Sequence, residues 1–400
     1  MLVALSIFGV IAVIYVSSPF PLWHSYFIIF YSSIKSQEVS GKEKRALVGY
    51  LVKSFFYLPL SGLLYRLDDI FVRAYRKQEV MGPLFIISQP RSGTTFLLRT
   101  LAEDDKNFFT LKHLDWRVPS IIAWRLFDFL GIRKHLEKID YWPNTEQGRL
   151  ASKMHVHTLG SIEGHGVFLE ENMYHHYFTY RRFPFANVLR RIETVGALSS
   201  FAKRKLVHSL AGVVRRAAYH RGNGRMWLTK ENENADFYRE LYSAFPNARF
   251  LCIGREPSGF VNSYISASDA SIRAKHDINP NTLTGYHEDN LNFRIRQCQQ
   301  QMIFCQELEE KGAITYVDYS QLLENIPCTM ERVYGELGIP MTEAFRQRLN
   351  ELQEIQRNRK RGYNNVKEMV VGFEDYSAFL ERYRVSPTSD MSQPLTSMEE

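Results

Sequence analysis

The chain has 400 residues, 45% hydrophobic and 14% aromatic, enough for a large core, and a formal net charge of +7. That charge favours an anionic ligand or an anionic membrane surface. The basic residues are scattered rather than gathered into a nucleic-acid module, which argues against nucleic acid, and Cys252, Cys298, Cys305 and Cys328 offer no disulfide framework.

Residues 1–34 contain no Asp, Glu, Lys or Arg, and Leu2 to Val16 form an almost unbroken apolar run. A crossing of the bilayer takes roughly 20 apolar residues. The run stops short of that at Ser17-Ser18-Pro19, but Phe20 to Tyr31 is apolar again. Residues 1–34 are therefore expected to be a membrane segment, as one tilted span or a kinked hairpin. No basic region precedes the run and no small-residue cleavage site follows it, which disfavours a signal peptide. Lys35, Lys42, Lys44 and Arg45 come next, and by the positive-inside tendency they favour a cytoplasmic remainder. The absence of an Asn-x-Ser/Thr sequon leans the same way.

Residues 35–80 are expected to form amphipathic and linker helices. Leu60, Leu63, Leu64, Leu67, Ile70, Phe71 and Ala74 follow helical spacing, with Arg66, Asp69, Arg73 and Arg76 on the other side. The apolar stripe would pack on the following domain or lie at a membrane interface. Gly82-Pro83 punctuates the chain before a first core strand at Leu84 to Ile87, short, apolar and suited to burial in a parallel sheet.

After that strand comes Ser88-Gln89-Pro90-Arg91-Ser92-Gly93-Thr94-Thr95. Gly93 lets successive N–H groups point into one concavity, and a helix beginning near Thr94 adds unsatisfied donors and the positive end of its dipole. The spelling lacks the lysine of the nucleotide-triphosphate loop. A second strand-turn-helix follows at Ala248 to Tyr264, with Arg255 at the strand's end, a helix opened by Pro257-Ser258, and Ser263 eight positions after the arginine. The long interval between these motifs is helical by pattern and is expected to carry an acceptor site; its His155, His157, His165, His175 and His176 repeat no recognised zinc spacing, so no metal is expected. The basic residues around Leu206 to Ala217, Arg216 among them, read as a solvated helix face. Ile314 to Tyr319 reads as another core strand, and Asn325 to Leu337 as a helix stopped by Gly338 and Pro340.

Pro90-Arg91-Ser92-Gly93-Thr94-Thr95 resembles the 5′-phosphosulfate loop of the sulfotransferases that use 3′-phosphoadenosine 5′-phosphosulfate (PAPS), and Arg255 with Ser263 resembles their 3′-phosphate site. The resemblance spans Leu84 to Tyr383. It implies an α/β domain over 81–385 with a central parallel sheet flanked by helices, of the P-loop nucleotide-binding type, followed by a disordered tail over 386–400. It implies transfer of a sulfuryl group from PAPS to an acceptor hydroxyl, without a metal. Arg91, Ser92, Gly93, Thr94 and Thr95 would hold the 5′-phosphate, Arg255 and Ser263 the 3′-phosphate, and Arg361 and Gly362 would belong to a loop closing over the nucleotide.

Lys230 lies where the family has a Leu-Lys-Ser-Pro segment, although Glu231-Asn232 replaces Ser-Pro. With Arg91, it would stabilise charge on the leaving phosphate. The acceptor proton needs a base. Glu170 and Glu171 resemble an acidic cluster of one branch of the family, and neighbours on a helix cannot both face one site; Glu170 is the first choice, with Glu171 and His165 as substitutes. Many membrane-bound members work in the Golgi lumen, so the side of the membrane stays open. An ATP-dependent phosphotransferase and a catalytically silent membrane scaffold are the rival readings.

Overall fold

The computed structural model describes residues 6, 9, 23–173, 182–185, 198–358 and 371–381. Most of the expected membrane segment, His175, His176, Arg361, Gly362 and the expected tail lie outside them. Among the described residues, β1 (Met81–Ile87), β2 (Phe108–Phe109), β3 (Met226–Glu231), β4 (Arg249–Gly254) and β5 (Ile314–Asp318) form one parallel sheet in the order β2-β3-β1-β4-β5. The fold is α/β, with helices covering the sheet, as the sequence implies.

Alternation along β1 assigns its two faces. Phe85 stacks on Phe250 of β4, with ring centroids 5.3 Å apart, and meets Trp227 of β3 edge-on at 5.4 Å. Leu84 and Ile86 point the other way, into a layer with Leu228, Leu251, Ile253 and Val317. Both faces are dry, which is why the β1 core sequence is an unbroken apolar run. Gly82 and Pro83 fall inside β1 rather than before it. The register with β3 shifts between Met81 and Leu84, an irregularity that accommodates a residue without an N–H.

The chain leaves β1 for β2 and β3 on one side of it, then returns to β4 and β5 on the other. Ile87 pairs with both Glu231 and Cys252, so β1, β3 and β4 end side by side where the strand order reverses. Such a reversal opens a crevice at the carboxyl ends of the strands.

The helix Gly41–Phe71 is long and apolar enough to cross a membrane, judged by length and composition. Its orientation overturns the expected stripe. The buried face is Leu47, Leu51, Ser54, Leu58, Ser61, Gly62, Tyr65 and Asp68, whereas Leu60, Ile70 and Phe71 are exposed. Polar bonds select the face. Asp68 accepts from the backbone N–H groups of Ile121 and Ile122 at 2.9 and 3.1 Å and from the Ser120 hydroxyl at 3.1 Å. Its other partner is Arg216, at 2.9 Å, from the helix Ser200–Ala217. Arg216 is thus wholly buried, not part of a solvated face.

Candidate functional site

Four strand ends build the cradle. After β1 the backbone enters the left-handed region twice, at Arg91 (φ 67°) and Gly93 (φ 94°), and the helix Thr94–Leu101 starts at once. Gly93 is required on two grounds. Besides its φ, a Cβ there would come within 2.5 Å of the Tyr319 ring, which stands at the end of β5. Ser92 is buried, and its Oγ has no hydrogen-bond partner among the described residues. An unmatched buried hydroxyl beside a helix start suits an anionic oxygen.

Cations converge on this turn. Lys230, at the end of β3, donates from Nζ to Thr95 Oγ1 at 2.6 Å, and Asn232 donates to Thr94 Oγ1 at 3.2 Å. Arg255, at the end of β4, donates to the Arg91 carbonyl at 2.7 Å and lies over the Tyr319 ring at 4.7 Å. Arg91 Nε donates to Ser263 Oγ at 3.0 Å, so the two predicted phosphate sites are joined. The wholly buried Arg294, from the helix Tyr286–Glu309, ties the loops together. It donates to Gln89 Oε1 at 3.3 Å and to the Glu233 carbonyl at 3.1 Å.

The cavity at these strand ends has a volume of about 470 Å³. Arg91, Thr94, Thr95, Lys230 and Arg255 line it together with a second group from the interval between the motifs: Tyr141, His155, His157, Glu163 and Glu170. Glu170 Oε1 accepts from the Tyr141 hydroxyl at 2.7 Å and lies 3.3 Å from Lys275 Nζ. Glu163 is buried, with Oε2 3.3 Å from Lys230 and Oε1 3.5 Å from Arg99. Burial opposes its charge, but Lys230 and its other neighbours hold the carboxyl well below the usual range. Glu233 also lines the cavity, and burial raises its carboxyl well above the usual range against the pull of Arg294.

The sequence profile of the sulfotransferase family matches residues 83–343. The chain belongs to the sulfotransferase family. Its fold is similar to that of sulfotransferase STF9 from Mycobacterium avium, at 12% identity and a TM-score of 0.58, over 92% of this chain and 97% of that one. It is also similar to sulfotransferase STF1 from Mycobacterium tuberculosis H37Rv, at 13% identity and a TM-score of 0.58, over 82% of this chain and 86% of that one. At such identities the likeness concerns the fold. No curated protein matches the chain.

In this sulfotransferase the sequence-nominated residues divide into two groups. Arg91, Gly93, Thr94, Thr95, Lys230, Arg255 and Glu170 line the cavity, with Ser92 and Ser263 buried behind the loop. Glu171 does not line it; it turns to His113 and Arg117. His165 is fully buried against Phe85 and Trp227, with Nδ1 3.1 Å from Thr229 Oγ1 and Nε2 3.3 Å from Glu231.

Sequence reasoning missed Glu163, Glu233 and the pairing of His113 with His157. Glu233 carried a signal, since it follows Lys230 by three residues beyond a short strand. His155, His157 and Glu163 each bring a ligand atom within 4.8 Å of the others. Both Glu163 oxygens already face cations, Lys230 and Arg99, so the carboxylate is committed to ion pairs.

Proposed function

We propose that the protein transfers the sulfuryl group of PAPS to an acceptor hydroxyl. The observation that carries this reading is the convergence of Arg91, Lys230 and Arg255 on a backbone turn that buries an unmatched serine hydroxyl. Ser92, Gly93, Thr94 and Thr95 bind the 5′-phosphate through N–H groups and hydroxyls; Arg255 and Ser263 bind the 3′-phosphate. Arg361 and Gly362 are assigned to nucleotide binding by the family resemblance alone. PAPS supplies the activated sulfuryl group.

Charge grows on the phosphate oxygen as its bond to sulfur breaks, and Lys230 and Arg91 stand ready to meet it. Fixed cations in a partly dry cavity stabilise such charge better than water does. The Thr95 hydroxyl holds Lys230 at the loop, and Glu163 holds it from the acceptor side. Glu170 opens on the cavity with one oxygen engaged by Tyr141 and Lys275, so it serves to orient the acceptor.

The enzyme is anchored in a membrane through residues 1–34. Phe27, Tyr31, Phe56 and Phe71, between 59% and 72% exposed, add apolar surface on the described helices that a bilayer would cover. That placement favours a lipid or membrane-proximal glycan as acceptor.

The deciding experiment is a thermal-shift titration of detergent-solubilised protein with adenosine 3′,5′-bisphosphate, with ATP and magnesium as the comparison. Bisphosphate at 100 times its dissociation constant should stabilise the native state by ~2.7 kcal/mol. A response to ATP with magnesium alone would move the assignment to phosphotransfer. Binding of the bisphosphate without transfer from labelled PAPS to any acceptor would indicate a silent scaffold.

A further inference from the structure

Glu171 turns away from the cavity yet is connected to it through two histidines. Its Oε1 lies 3.1 Å from His113 Nε2, and His113 Nδ1 lies 2.7 Å from His157 Nε2. The anionic end of this chain sets the order of protons. Burial opposes the charge on Glu171, but Arg117 and His113 hold its carboxyl down at about 2. An ionised carboxylate only accepts. A neutral His113 beside this carboxylate donates through Nε2 and accepts at Nδ1, so that His157 donates through Nε2 and keeps a lone pair on Nδ1.

We propose that His157 is the general base that takes the acceptor's proton, with His113 and Glu171 as positioning residues that fix its tautomer. The proposal rests on the sulfuryl-transfer reading above. His157 lines the same cavity as Lys230 and Thr95, and its ring is stacked on Tyr141 with centroids 4.3 Å apart and planes at 19°. The stacking and the bond to His113 leave the imidazole little rotational freedom.

The step balances without a further reactant. The acceptor O–H proton passes to His157 Nδ1, and the acceptor oxygen forms the new bond to sulfur. The bond from sulfur to the phosphate oxygen breaks, and its electron pair leaves with the bisphosphate. Burial pushes the resting imidazole down to about 3, so the ring is neutral, with its Nδ1 lone pair unprotonated, at physiological pH. Glu163 and Glu170 favour the imidazolium formed in the step, while Lys230 opposes it. Glu171 acts on it through His113. The logic is that of a nucleophile-activating triad, in which a carboxylate fixes which nitrogen is free.

Two measurements test the relay. In nitrogen-15 spectra of the histidine rings of the full chain in detergent, with His157→Gln used to assign the signals, His157 should carry its proton on Nε2. Glu171→Gln, whose amide can donate to His113, should move that proton to Nδ1. A wild-type His157 protonated on Nδ1 would overturn the proposal whether or not an acceptor has been found.

The second measurement is transfer from labelled PAPS to a phenol, a sterol and an oligosaccharide. His157→Gln should lose about 10²- to 10⁴-fold in kcat, the range of general-base catalysis, while its thermal response to bisphosphate stays as in wild type. Glu171→Gln should lower kcat, leave KM for PAPS unchanged and shift the pH–rate profile, and Glu171→Asp should recover part of the loss. Near-normal turnover by His157→Gln would also overturn the proposal. A wild-type protein that ignores the bisphosphate would instead remove the sulfotransferase reading, an outcome separate from the ring tautomer.

Discussion

Gly93 shows how much of a phosphate-binding turn can depend on one missing side chain. Its φ of 94° is a conformation that side chains rarely adopt, and the Tyr319 ring occupies the space a Cβ would need. Gly93→Ala should therefore strain or displace the turn rather than fill a void, at a cost of about 1–3 kcal/mol, the usual range for a residue held in a disfavoured backbone region. The expected result is a lower melting temperature and loss of the bisphosphate-induced shift; full retention of that shift would mean that the loop does not depend on this backbone shape. Gly93 and its threonines could be found from sequence because the turn is local. The couplings of Lys230 to Thr95, 135 residues away, and of Arg91 to Ser263, 172 residues away, depend on which strands become neighbours. The family resemblance nominated those residues separately, and the sheet order explains why they meet.

Among the elements, the helix Gly41–Phe71 is where sequence periodicity misleads. Leu60, Leu63, Leu64, Leu67 and Ile70 make an apolar stripe, but Asp68 and Tyr65 occupy the docked face. A hydrophobic count cannot detect this, because the face is selected by bonds to backbone N–H groups at 121 and 122 and by Arg216, none of them local. Arg216 also lies over the Tyr65 and Tyr75 rings, at 3.4 and 4.0 Å from their centroids, so the pair sits in an aromatic frame. Removing Asp68 leaves the wholly buried Arg216 with Asp69, at 2.9 Å, as its carboxylate partner and takes the acceptor away from the N–H groups of Ile121 and Ile122. Asp68→Ala should destabilise the protein by ~3–5 kcal/mol, read as a lower urea midpoint, with the helix Gly41–Phe71 becoming the most accessible to protease. A loss below about 1 kcal/mol, the range of exposed pairs, would mean that water already reaches this site. β3 was also missed as a strand. Its sequence, Met-Trp-Leu-Thr-Lys-Glu, ends in charged residues because it runs into the site, and these conceal the short apolar run before them.

Across the whole molecule, the buried His157 and His276 and the half-buried His155 are pushed below their ordinary value by desolvation, which makes the fold acid-sensitive well above the carboxylate range. The unfolded chain takes up a proton at each near pH 6.5, while the native state resists. Native stability must therefore fall as pH drops below about 6.5, and it keeps falling for His157 until about pH 3. Glu171 adds a second, lower limb: its folded carboxyl sits at about 2 against 4.5 when free, so its contribution is present above 4.5 and is lost towards 2. His276 separates this effect from catalysis, because it lies outside the cavity. Its ring packs near Phe183 and Tyr50, both nitrogens lack hydrogen-bond partners among the described residues, and the nearby Arg182 and Lys275 charges also oppose its protonation. His276→Phe keeps an aromatic ring there and removes one site of proton uptake by the unfolded state. Between pH 6 and pH 5 the variant should lose less stability than wild type by up to ~1.4 kcal/mol per pH unit, the value of one proton. Urea unfolding at pH 7, 6 and 5 measures that difference, and parallel acid limbs for the two proteins would mean that His276 is already charged in the native state.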